Sequence, residues 1–240
     1  MTDVNLSACC IIGDEILSGK TQDTNSHYLA KTLFDIGIEL KTIHVVGDTV
    51  EAITKSVKEL SCTHDYVFTS GGIGPTHDDI TYAAIASAFN LELRLDQPTL
   101  DYIQSQLIKR NQPLSPHHAR MATFPFPATL LRETKIPVVI VQDNVYILPG
   151  IPRLFQFLVD TLRPKLTTGR SFYRYQITTS QPEVMIADTL TQFQTKHPDV
   201  KIGSYPVWPD QHVLITVTSH DKSTTEHVGQ ALTQAIRAKL

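Results

Sequence analysis

The 240-residue chain carries 21 basic and 24 acidic residues, a formal net charge of −3, and is 41% hydrophobic and 19% charged. That balance fits one globular domain of ordinary size, or one larger domain with a small appendage, able to bury a substantial core. It argues against a polyanion-binding surface, so no nucleic-acid partner is expected. No apolar run approaches the length of a membrane span, so no membrane partner is expected either. The opening stretch Met-Thr-Asp-Val-Asn lacks the basic region of a signal peptide, and the apolar run from Ala8 to Ile12 is too short for its hydrophobic segment. The three cysteines, Cys9, Cys10 and Cys62, are odd in number and have no CxxC spacing. Neighbouring strand residues point to opposite faces, so Cys9 and Cys10 do not pair readily. Three buried apolar thiols in a reducing, cytoplasmic compartment are the expectation.

In chain order, Leu6 to Ile12 is an almost unbroken apolar run, the pattern of a strand buried on both faces. A polar loop follows, and Thr24 or Asn25 can cap a helix carrying Leu29, Leu33 and Ile36 on one face, with Gly37 as its stop. Leu40 to Val46 reads as a second strand, and Gly47-Asp48-Thr49 turns into a helix with Ile53, Val57 and Leu60 inward. Tyr66 to Thr69 reads as a third strand. A glycine loop follows, then a helix starting near Asp78 or Asp79 with Ile80, Ala83, Ala84 and Ala88 in its stripe. Strand, helix, strand, helix, strand, loop, helix predicts a doubly wound, mostly parallel sheet, whose ligands bind at the carboxyl ends of the strands. Leu100, Ile103 and Leu107 suggest a further helix; Asn111 to Pro127, rich in Pro and His, reads as loop or broken helix. Val138 to Val141 and Val145 to Leu148 look like a hairpin, and Leu148-Pro149-Gly150-Ile151-Pro152 leads into a helix with Leu154, Phe155, Leu158 and Leu162. Composition shifts between Leu166 and Arg170. Residues 1–168 are therefore expected as the main domain and 169–240 as a small β-α-β-β-α unit: a strand from Tyr173 to Thr179, a helix from Glu183 to Thr195, strands from Val200 to Tyr205 and His212 to Thr218, and a helix from Thr225 to Lys239.

Three polar loops leave the predicted strand ends. In Ser70-Gly71-Gly72-Ile73-Gly74-Pro75-Thr76 the glycines remove Cβ atoms and let backbone N–H groups turn toward an anion at a helix start. The loop is neither a Walker A sequence nor GxGxxG. An Asp at a helix start is a common N-cap, and one of Asp78 and Asp79 is expected to cap. Two carboxylates beside a phosphate cradle also repel the ligand unless a divalent cation bridges them, and hard oxygen ligands suit Mg²⁺ or Mn²⁺. Asp14 and Glu15 follow the first strand and Asp48 the second, on the same edge; Asp23 and Asn25 either contact the ligand or cap a helix. His77 lies inside the glycine loop, within reach of a phosphate. His117, His118 and Arg120 read as a solvated loop. Trp208 is assigned no role. No nucleophile with a paired base stands out, so covalent catalysis is not expected.

Gly13 to Gly19, Asp23-Thr24-Asn25-Ser26, Val46-Gly47-Asp48, Ser70 to Thr81 and Leu148 to Pro152 together resemble the MoaB/Mog-like molybdopterin-binding domain, in the subgroup of CinA (competence/damage-inducible protein A) and of the N-terminal domain of eukaryotic FAD synthases. The resemblance covers roughly residues 5 to 165 in order, and the tail is similar to the small unit that follows this domain in CinA-type proteins. It implies a three-layer α/β fold, a homo-oligomer (dimer or trimer), and a site for a small nucleotide or pterin phosphate at the sheet's carboxyl edge. The site residues it implies are Asp79, Asp78 and Asp48 as catalytic, Ser70, Gly71, Gly72, Gly74, Pro75, Thr76, Asp23, Asn25, Gly150 and Pro152 as ligand-binding, and Asp14, Glu15 and Asp78 around Mg²⁺, Mn²⁺ or Co²⁺. The activity it points to is metal-dependent cleavage of ADP-ribose, FAD or a related dinucleotide diphosphate. Adenylylation of molybdopterin and a binding module without catalysis stand as alternatives. The GPTHDD form of the loop and the C-terminal unit favour the first. The chain ends without the amidohydrolase domain of full CinA and without the FAD-forming domain, so neither NMN deamidation nor FAD synthesis is expected. Leu131-Arg132-Glu133-Thr134-Lys135 departs from the family's Asn- and Gly-containing turn, which leaves substrate contacts from that loop unassigned.

Overall fold

The computed structural model describes residues 5–209 and 212–238, divided into two units, 1–169 and 170–240. In the first unit the N-terminal apolar run becomes β1 (Leu6–Ile12), buried along nearly its whole length. A single helical turn, α1 (Asp14–Leu17), follows, then α2 (Asn25–Asp35), β2 (Glu39–Val46), α3 (Val50–Thr63), β3 (Tyr66–Ser70) and α4 (Thr81–Ala88). A second stretch holds β4 (Glu92–Leu95), α5 (Gln97–Lys109), α6 (Pro116–Arg120), β5 (Thr123–Phe126) and β6 (Thr129–Leu131). The hairpin β7 (Val138–Val141) and β8 (Val145–Leu148) then leads into α7 (Pro152–Leu162).

Alternation along β1 sets the layers. Ala8, Cys10 and Ile12 pack with Ile53, Val57 and Leu60 of α3 and with Ala84 and Ile85 of α4. Cys9 and Ile11 face the opposite core, with Leu29 and Leu33 of α2 and Phe155, Leu158 and Leu162 of α7. A strand flanked on both sides must be apolar on both sides. The six-stranded sheet runs β2-β1-β3-β8-β7-β6. β2, β1, β3 and β8 are parallel, and β7 and β6 are antiparallel. The expected three-layer, mostly parallel fold is the observed one. The register pairs Ile12 with Val46, Ile11 with Ser70, and Ser70 with Leu148. Four loops therefore leave the sheet side by side: the three named in the sequence and the turn after β8.

Several expectations change. The helix after the glycine loop starts at Thr81, not at Asp78 or Asp79, and has no side-chain cap. Ala83 is exposed, and the buried positions of α4 are Thr81, Tyr82, Ala84 to Ala86 and Ala88. Asn111 to Pro127 is not simply loop: it contains α6 and β5, and β5 pairs with the unanticipated β4. Cys62 is exposed, while Cys9 and Cys10 are buried, and burial pushes the Cys10 thiol up to about 11. Among the described residues no helix is long and apolar enough to cross a membrane.

The second unit comprises β9 (Tyr173–Thr179), α8 (Glu183–Lys196), β10 (Lys201–Val207), β11 (His212–Ser219) and α9 (Lys222–Arg237). Its antiparallel sheet, β10-β11-β9, buries Ile177, Val213, Ile215 and Val217 against Ile186 of α8 and Val228, Leu232 and Ile236 of α9. The last helix begins three residues before the expected Thr225, because the Asp221 side chain accepts from the Thr224 N–H at 2.6 Å and caps it. Lys239, its expected end, lies outside the described residues.

Candidate functional site

The glycine loop is shaped by its contact with β1. Gly71 has φ +115°, and a Cβ there would lie 2.1 Å from the Ile12 carbonyl oxygen, so no larger residue fits. The Gly71 N–H donates to the Leu148 carbonyl (3.2 Å). The loop is closed from α4, whose Thr81 hydroxyl donates to the Gly71 carbonyl and whose Thr81 N–H donates to the Gly72 carbonyl, both at 2.9 Å. Beyond it, Asp79 Oδ2 accepts from the Thr76 N–H (2.8 Å) and from the Thr76 hydroxyl (2.5 Å). Asp79 thus braces the loop rather than capping a helix. Arg120, expected in a solvated loop, donates to the Thr76 carbonyl at 2.6 Å and holds the far side. His118 turns back to Ser115 in a capping box. Pinned at both ends, the loop leaves the N–H groups of Gly72, Ile73 and Gly74 without a protein acceptor among the described residues.

The acidic residues fall in two places. Asp14 and Asp48 bracket the ends of β1 and β2: the Asp14 N–H donates to Asp48 Oδ2 at 2.8 Å, and the Asp48 N–H donates to Asp14 Oδ1 at 3.4 Å. Burial pushes the Asp48 carboxyl above its ordinary value, and the charges of Asp14, Glu15 and Asp78 push the same way, against the Asp14 N–H. Asp78 is exposed, and the polar groups of its turn foremost, with a smaller contribution from His77, hold its carboxyl below the usual range; the Thr76 hydroxyl hydrogen itself goes to Asp79. The His77 ring points into solvent, its Nδ1 4.0 Å from Asp78 Oδ1.

A cavity of about 940 Å³ opens over this edge, within the range of small-molecule sites. Its lining combines Glu15, Asp48, Asp78, Asp79 and the glycines of the loop with the apolar Ile136, Pro137, Ile151, Leu154 and Phe157. The segment Arg132 to Lys135, whose contacts the sequence left unassigned, forms part of the wall. Arg132 pairs with Asp96 and Glu133 with Lys165, both at 2.5 Å. Lys135 is the lining cation with no ion pair among the described residues. The sequence assigned Lys135 no role and drew only Pro152 from α7; for Lys135 the charged Arg-Glu-Thr-Lys run was the signal available.

Several expected ligand contacts do other work. Asp23 does not line the cavity; its Oδ1 accepts from the N–H groups of Asn25 (2.9 Å) and Ser26 (3.1 Å) at the start of α2. Asn25, 5% exposed, is buried behind the loops, where its amide donates to Ser70 Oγ and to the Gly150 carbonyl, each at 2.9 Å. Ser70 is likewise buried, its hydroxyl turned toward the Pro149 carbonyl. Asp14, Pro75, Thr76 and Pro152 stand outside the lining, while Gly150 is part of it. No three His, Cys, Asp or Glu side chains converge as a metal site among the described residues. The donors at the acidic end are all carboxylate oxygens. That suits a hard divalent cation which takes one or two carboxylates and completes its shell with phosphate oxygens and water.

Residues 8–168 match the family model described as "Probable molybdopterin binding domain", and residues 171–240 the one described as "FAD synthase, middle domain". A "Probable FAD synthase" of Caenorhabditis briggsae is 33% identical over 96% of this chain and 49% of its own length. A protein of Archaeoglobus fulgidus is 30% identical over 93% of each chain. A "CinA-like protein" of Myxococcus xanthus is 29% identical over 89% of this chain and 54% of its own. The crystal structure of a CinA protein "with unknown function" from Thermoplasma acidophilum superposes with a TM-score of 0.60 at 28% identity, over 68% of this chain and 98% of that one. The chain spans about half the length of the two Caenorhabditis FAD synthase relatives. Because the family model covers more than half of the sequence, including the strands whose ends build the cavity, the chain belongs to the molybdopterin-binding domain family, with CinA-like relatives.

Proposed function

We propose that the first unit binds a dinucleotide diphosphate such as ADP-ribose or FAD in this cavity and hydrolyses its pyrophosphate bond. The observation that carries the reading is the run Gly72, Ile73 and Gly74, whose N–H groups have no protein acceptor among the described residues and which lines the cavity together with Glu15, Asp48, Asp78 and Asp79. Such a row takes phosphate oxygens. Lys135, which also lines the cavity, would balance charge. Glu15 and Asp78, with Asp14 from the adjoining turn, would hold a divalent cation, which supplies neutralisation and polarises a phosphoryl oxygen. Asp48, the acid whose carboxyl is pushed up, accepts a proton from the attacking water. Asp79, fixed by Thr76, orients that water with its other oxygen. Water adds across the P–O–P bridge: one phosphorus gains the new P–O bond, the bridging oxygen leaves with the other, and two phosphomonoesters form.

The test is release of AMP from ADP-ribose or FAD with Mg²⁺, Mn²⁺ or Co²⁺. No turnover with any of these sinks the reading, and undiminished activity in Asp79→Ala refutes that residue's role. A second reading, binding without turnover, draws support from the lack of a preformed three-acid cluster among the described residues. It expects a calorimetric binding signal and no product. Adenylylation of molybdopterin with Mg-ATP is the third arm of the same assay.

A further inference from the structure

α7 carries more apolar surface than its place in the fold requires. Phe155, Leu158, Val159 and Leu162 are buried and form the stripe facing the core. Leu154 and Phe157 fall on the adjoining flank, and at about 100° per residue they widen the apolar arc to about 200°, well beyond the roughly 100° a surface helix needs; Ile151, at the N-cap, stands in line with the buried stripe at the helix start. Ile151, Leu154 and Phe157 stay open, 66%, 36% and 55% exposed, and all three line the cavity. Ile136 and Pro137, just after the Arg132 to Lys135 segment, line the cavity as well. The cavity is therefore polar and acidic at the glycine loop and apolar at α7.

We propose that this flank is a ring subsite: Phe157, Leu154 and Ile151 receive a planar heteroaromatic ring of the ligand whose phosphates occupy the glycine loop. The inference rests on the reading of the cavity as a nucleotide-diphosphate site and adds where discrimination between ligands arises. Phosphates and cation are common to all diphosphates, so the loop cannot tell one from another. An apolar wall rewards ring area, and an aromatic side chain on it adds stacking. Continuity with the cavity assigns the flank to a ligand rather than to a protein partner: Phe157, Leu154 and Ile151 line the same cavity as the glycine loop, Asp48 and Asp78.

Phe157 is more than half exposed, so its replacement leaves the fold intact, which circular dichroism checks. Affinities for FAD, ADP-ribose and inorganic pyrophosphate are measured by calorimetry with Mg²⁺ for the full chain and its variants. Phe157→Ala is expected to weaken FAD on the order of tenfold, with Phe157→Tyr restoring it, while pyrophosphate, which has no ring, keeps its affinity. Phe157→Trp is expected to quench flavin fluorescence on binding. FAD bound equally by wild type and Phe157→Ala overturns the ring subsite alone, as does an equal loss for FAD and pyrophosphate. A dimer that falls apart in Phe157→Ala at unchanged FAD affinity assigns the flank to a second copy and overturns it too. No binding of FAD or ADP-ribose to the wild type overturns the proposed function, and the ring subsite with it.

Discussion

Asn25→Asp tests whether the two loops that frame the cavity are stapled from behind. The wild-type amide gives one hydrogen to Ser70 Oγ and one to the Gly150 carbonyl, at a position 5% exposed. An aspartate has the same shape but no N–H. Losing two bonds costs about 1 kcal/mol each, and a buried carboxylate facing a carbonyl with no cation costs about 3–5 kcal/mol when uncompensated. The two overlap, so the expected loss at pH 7 is about 4 kcal/mol. Asn25→Ala is the control: it loses the same donors but adds no charge, and it removes Oδ1, a buried atom without a partner among the described residues. Its loss is expected at about 1–2 kcal/mol. The sign of the pH dependence follows from linkage. Burial raises the new carboxyl's folded pKa above its unfolded value of about 3.9, so the charge penalty is complete above the folded pKa. It shrinks as pH falls between the two values and is gone below the unfolded one. The assay is urea unfolding followed by far-UV circular dichroism, because the single tryptophan, Trp208, lies in the other unit. An Asn25→Asp variant within 1 kcal/mol of Asn25→Ala at pH 7 refutes the reasoning, and so does a gap between them that stays constant as pH falls.

Lys135→Met is expected to weaken ADP-ribose roughly fivefold, since an exposed charge pair contributes up to about 1 kcal/mol, and to flatten the salt dependence of binding. Calorimetry at two ionic strengths checks both, and an unchanged slope removes Lys135 from the site. Thiol alkylation at pH 8 is expected to mark only Cys62 in the native protein, because burial raises the thiols of Cys9 and Cys10, the latter to about 11. Intact mass after iodoacetamide treatment reads the number of adducts, and more than one before unfolding contradicts the packing around β1.

Most of the sheet was legible because its strands are buried on both faces: Leu6 to Ile12 and Val138 to Val141 have no other reading. β4 escaped because Glu92 to Leu95 is exposed throughout and pairs only with β5, so no burial pattern marks it. Asp78 and Asp79 were legible as acids beside the glycine loop, but their contacts were not. An Asp ahead of a helix reads as a cap, and only the turn geometry assigns Asp79 to Thr76 instead. The α7 flank was unreadable for a related reason. One apolar arc serves both the core and the cavity, and periodicity cannot separate two uses of the same side chains. Lys135 was visible as a residue but not as a participant, because its neighbours Arg132 and Glu133 look like a solvated charge run until their partners, Asp96 and Lys165, are located in distant segments.

The charges around the cavity also constrain how any phosphate ligand arrives. Glu15, Asp48, Asp78 and Asp79 line the cavity in which the proposed diphosphate would sit; burial first, and then the charges of Asp14, Glu15 and Asp78, already raise the Asp48 carboxyl. Three backbone N–H groups and one lysine do not balance four carboxylates and an incoming diphosphate. A doubly charged cation, held by carboxylates on one side and by phosphate oxygens on the other, removes both repulsions at once. Neither half of that pair is well received alone: the bare diphosphate meets the acids, and the bare cation finds no three-acid cluster among the described residues. By linkage each must raise the affinity of the other by the same factor. On the proposed function, the acidity that looks out of place beside a phosphate cradle would make the cavity select a cation–diphosphate pair over free phosphate anions.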